Sequence, residues 1–382
     1  MIARPRILCV SFSPIHADSR VLRQIEVLRE HGDVTTVGYG EAPHGVARHI
    51  QVPDSAASLP QTPLGVLRLA LRLHRSVELT APGEKAVLPA VLGAGRFDLV
   101  VANDGRALPL AFAAAQGAPV YADMHEWAPE ERATIFSWRV LVGPYMAHLC
   151  RSYLPRAAAI TSVSYGLTKL YADTFGVEAE TVRNAAWWRD LTPTPVNPDR
   201  IRIVHSGTAD PERNIMELID AVDELGERYS LDLYLLGDPN GYLAEIRARA
   251  ATSAQVTVHD AIPPAELPST LNQYDIGVFL YPLLTKSHLY HLPNKFFDFV
   301  QARLALVFSP APEINDYFER YGVGRITGGT SAHALVDTLR SLSADQIAAL
   351  KDASHASSRE LAGEVDHGIQ TQLVGRVLAG RV

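Results

Sequence analysis

Lys295 and Asp298 stand three residues apart in HLPNKFFDFVQARLALVFSPAPE, residues 291–313. Pro293 and Asn294 form a helix start signal, and Phe296, Phe299 and Val300 follow at i, i+3 and i+4 as a buried stripe. Lys295 and Asp298 then share the opposite face of the first turn. That turn offers free backbone N–H groups near residues 292–294 and the positive end of a helix dipole, which favour an anion. Lys295 adds charge for a phosphate, and Asp298 can accept hydrogen bonds from two hydroxyls, as a ribose offers. A strand over Leu304–Phe308 follows at once. The grouping suits a nucleotide diphosphate attached to a sugar.

A second group lies in HSGTADPERNIMELIDAV, residues 205–222. Gly207 permits a close backbone approach at a strand end, beside Thr208, and Arg213 opens the next helix. Arg213 either adds fixed charge beside a phosphate or is a solvated first-turn cation. In the first half, VVANDG (100–105) ends a strand at Asn103 and Asp104, and VYADMHEWAPEE (120–131) ends one at Asp123, His125 and Glu126. A histidine and carboxylates at strand tips point to function. Alternatively, Asp123 and Glu126 hold the loop while His125 is structural. No second histidine or cysteine stands at zinc-ligand spacing from His125. Ser13 and Asp18, in the loop after the first strand, complete the candidates.

Positioning these groups requires strands that alternate with helices. In the first half the pattern predicts strands at 7–12, 34–38, 99–102, 120–122 and 159–162, with helices at 19–30, 63–78, 108–116 and 165–174. In the second it predicts strands at 201–205, 231–236, 256–259, 276–280 and 305–308, with helices at 215–225, 242–251, 265–272, 294–301 and 332–342. Such alternation reads as two parallel sheets, each covered on both faces. The proline-rich stretch LTPTPVNPDR (191–200) joins them, giving domains over 1–190 and 191–364. In such sheets ligands bind beyond the carboxyl ends of strands.

Composition excludes several classes. Residues 1–190 carry a net charge of +1 and residues 191–382 a net of −8, giving −7 overall. No basic run with interleaved aromatics exists, which argues against nucleic acid as a partner. No apolar run approaches the roughly 20 residues that span a bilayer. Two cysteines, Cys9 and Cys150, lack metal or redox spacing, and Cys9 falls in a buried strand. A reducing, cytoplasmic setting follows, with contact at the inner membrane face open. The stretch LGVLRLALRLHRSV (64–77) sets Arg68, Arg72 and Arg75 on one helix face among leucines. It either docks a membrane surface or lipid-linked acceptor, or faces the core with its arginines in solvent, and the second reading is preferred. The chain has no GxGxxG, no GxxxxGK[ST] and no GxSxG, so a Rossmann dehydrogenase, a P-loop kinase and a nucleophile-elbow hydrolase are poor fits.

Taken together these residues resemble the retaining glycosyltransferases of family 4, of the sub-type whose motif reads PNK-F-[ED]. The resemblance covers nearly the whole chain and is more specific in its second half. Asp18-Ser19-Arg20-Val21 with Leu28 to Gly32 looks like the family's first strand–helix unit. Asp123-Met124-His125-Glu126 looks like the loop whose histidine lies near the transferred sugar. Ser206-Gly207-Thr208 through Arg213-Asn214 is similar to the segment that grips the donor diphosphate, and Leu292 to Asp298 to the PNK motif. Two departures stand out. Thr208 occupies the place of a usual arginine, and Tyr290 replaces the first of two glutamates eight positions apart, the second being Asp298.

The resemblance implies a GT-B fold, two Rossmann-like domains facing each other across a cleft, with residues 365–382 packing back on the first. It implies sugar transfer with retention from a nucleotide diphosphate sugar, without metal or other cofactor, to a small-molecule, glycan or lipid-linked acceptor. Gly207, Thr208, Arg213, Tyr290, Asn294, Lys295 and Asp298 would bind the donor. His125, Arg213 and Lys295 would serve catalysis, and Ser13, Asp18, Asp104 and Glu126 would lie on the acceptor side. Two rivals remain: a nucleotide-sugar epimerase or hydrolase using Glu126, Glu130 and Glu131, or a non-catalytic nucleotide-sugar-binding partner protein, which Thr208 and Tyr290 motivate.

Overall fold

A computed structural model describes residues 4–238 and 241–380. The chain divides into two compact units. One gathers the residues up to Arg183 with Thr285–Ser287 and those from Asp366 onward, and the other holds Asn184–Leu284 and His288–Val365.

The first unit is built on seven strands: β1 (Arg6–Pro14), β2 (Asp33–Tyr39), β3 (Arg48–Gln51), β4 (Leu99–Asn103), β5 (Val120–Met124), β6 (Ala159–Ser162) and β7 (Glu180–Thr181). They form one sheet in the order β3-β2-β1-β4-β5-β6-β7, every neighbouring pair parallel. β4, β5 and β6 are buried along their whole length, as strands covered on both faces must be. Ile7, Cys9, Ile25, Leu28, Leu99 and Tyr121 pack into one core with Leu373, Val374 and Val377 of the helix Gly363–Leu378. Gln370 of that helix donates to the Tyr121 hydroxyl at 2.9 Å, and Asp366 pairs with Arg183 at 3.0 Å.

The second unit has six strands: β8 (Ile201–Thr208), β9 (Tyr229–Leu236), β10 (Val256–Asp260), β11 (Ile276–Phe279), β12 (Ala305–Phe308) and β13 (Gly324–Ile326). Their order is β10-β9-β8-β11-β12-β13, again all parallel. Chain order reverses between β8 and β11, and between β1 and β4 in the other unit. These are the switch points beside which such sheets bind ligands.

All ten strands read from the sequence are present, within a residue or two at their ends except β8, which runs on to Thr208, three residues beyond the expected end. Three strands escaped it, the edge strands β3, β7 and β13, which are only two to four residues long. The helix expected over 63–78 is a correction. It ends at Ala70, because Arg72 takes a positive φ of 58°, and only a single 3-10 turn, His74–Ser76, follows. Arg68, Arg72 and Arg75 therefore do not line one helix face.

Candidate functional site

At the carboxyl end of β5 the side chains form a closed polar network. Asp123 is fully buried and accepts from Arg20 Nε at 3.0 Å, Gln24 Nε2 at 3.0 Å and Thr161 Oγ1 at 2.7 Å. Arg20 Nη2 adds a second bond to the other oxygen, so the guanidinium grips the carboxylate with two donors. Burial alone would raise the Asp123 pKa, but the Arg20 charge and hydrogen bonds from His125 and Arg20 outweigh it and hold the carboxyl below its usual range. His125 lies next in line. Its Nε2 is 3.0 Å from Asn103 Oδ1 and 3.4 Å from Asp123 Oδ2, and its Nδ1 is 3.3 Å from Asp104 Oδ2. Asp104 also accepts the His125 backbone N–H at 2.8 Å. Burial disfavours the imidazolium, yet the Asp104 charge, with the Asp123 hydrogen bond and charge, prevails and raises the His125 pKa.

Asp104 itself has a φ of +65°, a conformation rare for a residue with a Cβ. Its two contacts to His125 hold it there. Glu126 reaches solvent, but surrounding protein, then the charges of Glu131 and Asp104, push its carboxyl up to about 7, a shift that its exposure moderates. Glu131 is paired with Arg106 at 2.9 Å. The loop is pinned from below, since the Tyr171 hydroxyl donates to the Glu126 carbonyl at 2.6 Å and accepts from the Ala128 N–H at 3.0 Å.

The remaining first-unit candidates stand apart from this network. Ser13 Oγ lies 2.9 Å from Ser11 Oγ on β1. The Asp18 carboxylate caps the helix Ser19–His31, accepting from the N–H groups of Arg20 and Val21.

In the second unit the site gathers at the tips of β8 and β11. The helix Asn294–Gln301 starts after Pro293 and buries Phe296, Phe297, Phe299 and Val300. Gly277 on β11 makes room for it: a Cβ there would lie 2.4 Å from the Phe299 ring. Lys295 and Asp298 come out on the open side, as expected, but in contact with each other at 3.2 Å. Gly207 has a φ of +153°, and a Cβ there would meet Lys295 Cε at 3.4 Å and His205 Nε2 at 3.7 Å. Asn294 accepts from Asn184 Nδ2 at 2.7 Å, Tyr290 is half-buried and Thr208 is exposed at the end of β8.

Arg213 ends a 3-10 turn, Pro211–Arg213, rather than opening the helix Ile215–Leu225. Asn214, in the left-handed conformation, lies between the two. The Arg213 guanidinium sits 4.8 Å from the ring centre of Tyr281 and 5.4 Å from that of Phe279, so aromatic faces hold it in place. Beside it Tyr281 and His288 bond at 2.9 Å. Burial, with the Arg213 and His288 charges, pushes His291 down to about 3. His205 is buried, gives Nδ1 to the Val278 carbonyl at 3.0 Å and stacks on Phe279. Burial first, then the charges of Lys295 and Arg213, lower its pKa to about 4. Both cations therefore act on one spot at the tip of β8.

Sequence reasoning missed Arg20 and Gln24, which fix Asp123, and the ring set around Arg213. Their signal was weak, since each sits on a different element from the group it supports. Among the described residues, no group of three or more His, Cys, Asp or Glu is placed to hold a metal ion, and no helix is long and apolar enough to cross a membrane.

No protein-family model matches the chain, and no curated protein matches it. Solved structures do. A sucrose-phosphate synthase from Thermosynechococcus elongatus superimposes with a TM-score of 0.72 at 15% identity, covering 99% of this chain and 100% of that one. Anabaena HepE, solved in complex with UDP and glucose, gives 0.69 at 13% identity, with 99% and 100% covered. A UDP-forming α,α-trehalose-phosphate synthase from Burkholderia vietnamiensis gives 0.62 at 11%, with 99% and 100% covered. These neighbours are glycosyltransferases of the GT-B class, and the two parallel sheets described above are the GT-B fold.

Proposed function

We propose that the protein is a glycosyltransferase that moves a sugar from a nucleotide diphosphate sugar to an acceptor hydroxyl, with retention, as a member of family 4 of the PNK-F-[ED] sub-type. The observation that carries the reading is the pair of cations, Arg213 and Lys295, with a helix N-terminus at the β8–β11 switch point. When the glycosidic bond breaks, negative charge grows on the β-phosphate of the leaving nucleoside diphosphate. Arg213, Lys295 and the N-terminus of the helix Asn294–Gln301 would stabilise that charge. Because these groups supply the countercharge, the proposed reaction needs no metal. Gly207, Thr208, Tyr290 and Asn294 are assigned to the donor, and Asp298 would hold the ribose.

The first unit is assigned the acceptor, through Ser13, Asp18, Asp104 and Glu126, with His125 directed to the transferred sugar. Its ties to Asp104 and Asn103 fix the ring plane, so a contact from it would be a preorganised one. A small molecule, glycan or lipid-linked molecule is the proposed acceptor class. The free, buried Cys9 and Cys150 fit a cytoplasmic setting.

A nucleotide-sugar hydrolase or epimerase on the same scaffold is the second reading. It is favoured by Glu126, whose carboxyl is pushed upward by surrounding protein and by the charges of Glu131 and Asp104, in the direction that suits an acid–base group.

A thermal-shift panel of nucleoside diphosphates tests the donor assignment. A ligand at 100 times its Kd stabilises by about 2.7 kcal/mol, so one base should stand out. Product analysis with that donor, with and without acceptors, separates the readings. Slow turnover of donor alone and transfer with acceptor supports the transferase. Fast hydrolysis or epimerisation without acceptor supports the rival, and binding without turnover marks a non-catalytic protein. No shift with any nucleotide overturns all three.

A further inference from the structure

The stretch 64–77 was expected to face the core on one side with its arginines in solvent, and in the structure that buried side is narrow. Only Leu69 of the helix Pro63–Ala70 is buried among its large side chains, while Leu64 and Leu67 are exposed, as are Leu71 and Leu73 in the turn that follows. A helix apolar on every side is normally enclosed by protein. Here its outer surface continues onto a second apolar segment. Arg72 Nη1 donates to the Val140 carbonyl at 2.8 Å and joins this turn to the segment around Trp138–Val142. On that segment Trp138 is buried as an anchor, while Phe136 is 70% exposed and Ile135 is exposed beside it.

The two segments that carry these side chains are basic. Residues 55–77 include Arg68, Arg72 and Arg75 and no Asp or Glu, and residues 132–142 include Arg132 and Arg139 and no Asp or Glu. Arg139 and Arg132 lie against the rings of Phe136 and Trp138 at 5.7 and 5.8 Å, so cations rim the exposed apolar side chains. Of the flanking acids, Glu78 binds His148 and Tyr153, Glu131 pairs with Arg106 and Glu130 accepts from the Lys286 backbone, while Asp54 is exposed at the start of the stretch.

We propose that this face docks on an anionic lipid bilayer, the leucines and Phe136 entering the headgroup–acyl boundary and the arginines meeting lipid phosphates. Apolar tips rimmed by arginines match that boundary in both of its properties. A second copy of the chain fits poorly, because a two-fold contact would set these arginines against their own equivalents. The inference stands on surface residues alone and is independent of the assignments at Lys295 and His125.

Co-flotation of the purified full chain with vesicles tests it. With vesicles containing phosphatidylglycerol the protein should float, with pure phosphatidylcholine it should float far less, and raising the salt should weaken the anionic binding. A Leu67→Ser/Phe136→Ser variant should lose about tenfold in bound fraction. Arg68→Gln/Arg139→Gln should lose the preference for anionic vesicles. Unchanged melting temperatures would confirm that both variants fold, since every altered side chain points outward or lies at the surface. Failure of the wild-type chain to float, or flotation of the Leu67→Ser/Phe136→Ser variant at the wild-type level, overturns the proposal. So does a lipid-free dimer that the same substitutions dissolve, which would assign the face to a second copy.

Discussion

Lys295 Nζ lies 3.2 Å from Asp298 Oδ2, so the group assigned to phosphate and the group assigned to ribose satisfy each other in the free protein. Neither is fully enclosed, and their ion pair closes across one helical turn. A nucleotide that takes both groups must share or replace this bond. The pair thus keeps the lysine aimed at the β8 tip before any ligand arrives.

Lys295→Ala should weaken nucleoside diphosphate binding by about 100-fold, because it removes the cation and leaves the Asp298 carboxylate facing the phosphates. Asp298→Ala should cost about tenfold and leave a site that still binds inorganic pyrophosphate, since only hydroxyl contacts are lost. Calorimetric titration of both variants checks this. Equal losses for nucleotide and pyrophosphate in Asp298→Ala would remove the ribose assignment.

Gly207→Ala should impair both donor binding and stability. Alanine is strained at a φ of +153°, and its methyl group would touch Lys295 Cε at 3.4 Å, so the strand tip that faces the lysine must shift. The expected result is a KM for donor raised about tenfold, with a lowered melting temperature. A normal KM would show that Lys295 does not work from the position seen here.

The two sheets were legible because central parallel strands read as short, β-branched-rich or apolar runs between helical patterns, as at Ile201 to His205 and Ala305 to Phe308. The edge strands β3, β7 and β13 were not, since each is short and only partly buried. Lys295, Asp298 and Gly207 were found together because they lie within one helical turn or at one strand tip. The partners that fix the rest come from far along the chain: Arg20 is 103 residues from Asp123, and Tyr281 lies on a different element from Arg213. Spacing carries no trace of such pairs. The exposed leucines of 63–77 were misread because periodicity reports that a helix has an apolar face but not what covers it.

Asp275, at the start of β11, offers a stability test away from the site. It is fully buried and accepts from Arg202 and from Lys351, whose ammonium is also fully buried and, among the described residues, otherwise donates to Thr194 and the Tyr274 carbonyl. Asp275→Ala should destabilise by about 3–5 kcal/mol, because it strands a buried cation. Lys351→Met should cost much less, since Asp275 keeps the Arg202 guanidinium and the Arg202 N–H at 2.8 Å. Denaturant unfolding of the two variants gives the comparison, and equal losses would mean that Lys351 is not the stranded group.

His125 should make stability depend on pH near neutrality. Its pKa is raised in the folded protein, the carboxylates of Asp104 and Asp123 overcoming the effect of burial. The stability that its charged form contributes is therefore complete below the unfolded value of about 6.5 and is lost as pH rises through the higher folded value. Asp123 behaves in the opposite sense: its pKa is lowered, so its contribution is present above about 3.9 and is lost only as pH falls below that. Above the range in which Asp123 titrates, the wild-type melting temperature should fall relative to that of His125→Gln as pH is raised from about 6 to about 9. Asp104→Asn should move this decline to lower pH, because it removes the largest charge favouring the imidazolium. Parallel melting curves for wild type and His125→Gln across that range would show that the carboxylates of Asp104 and Asp123 do not hold His125 in its charged form.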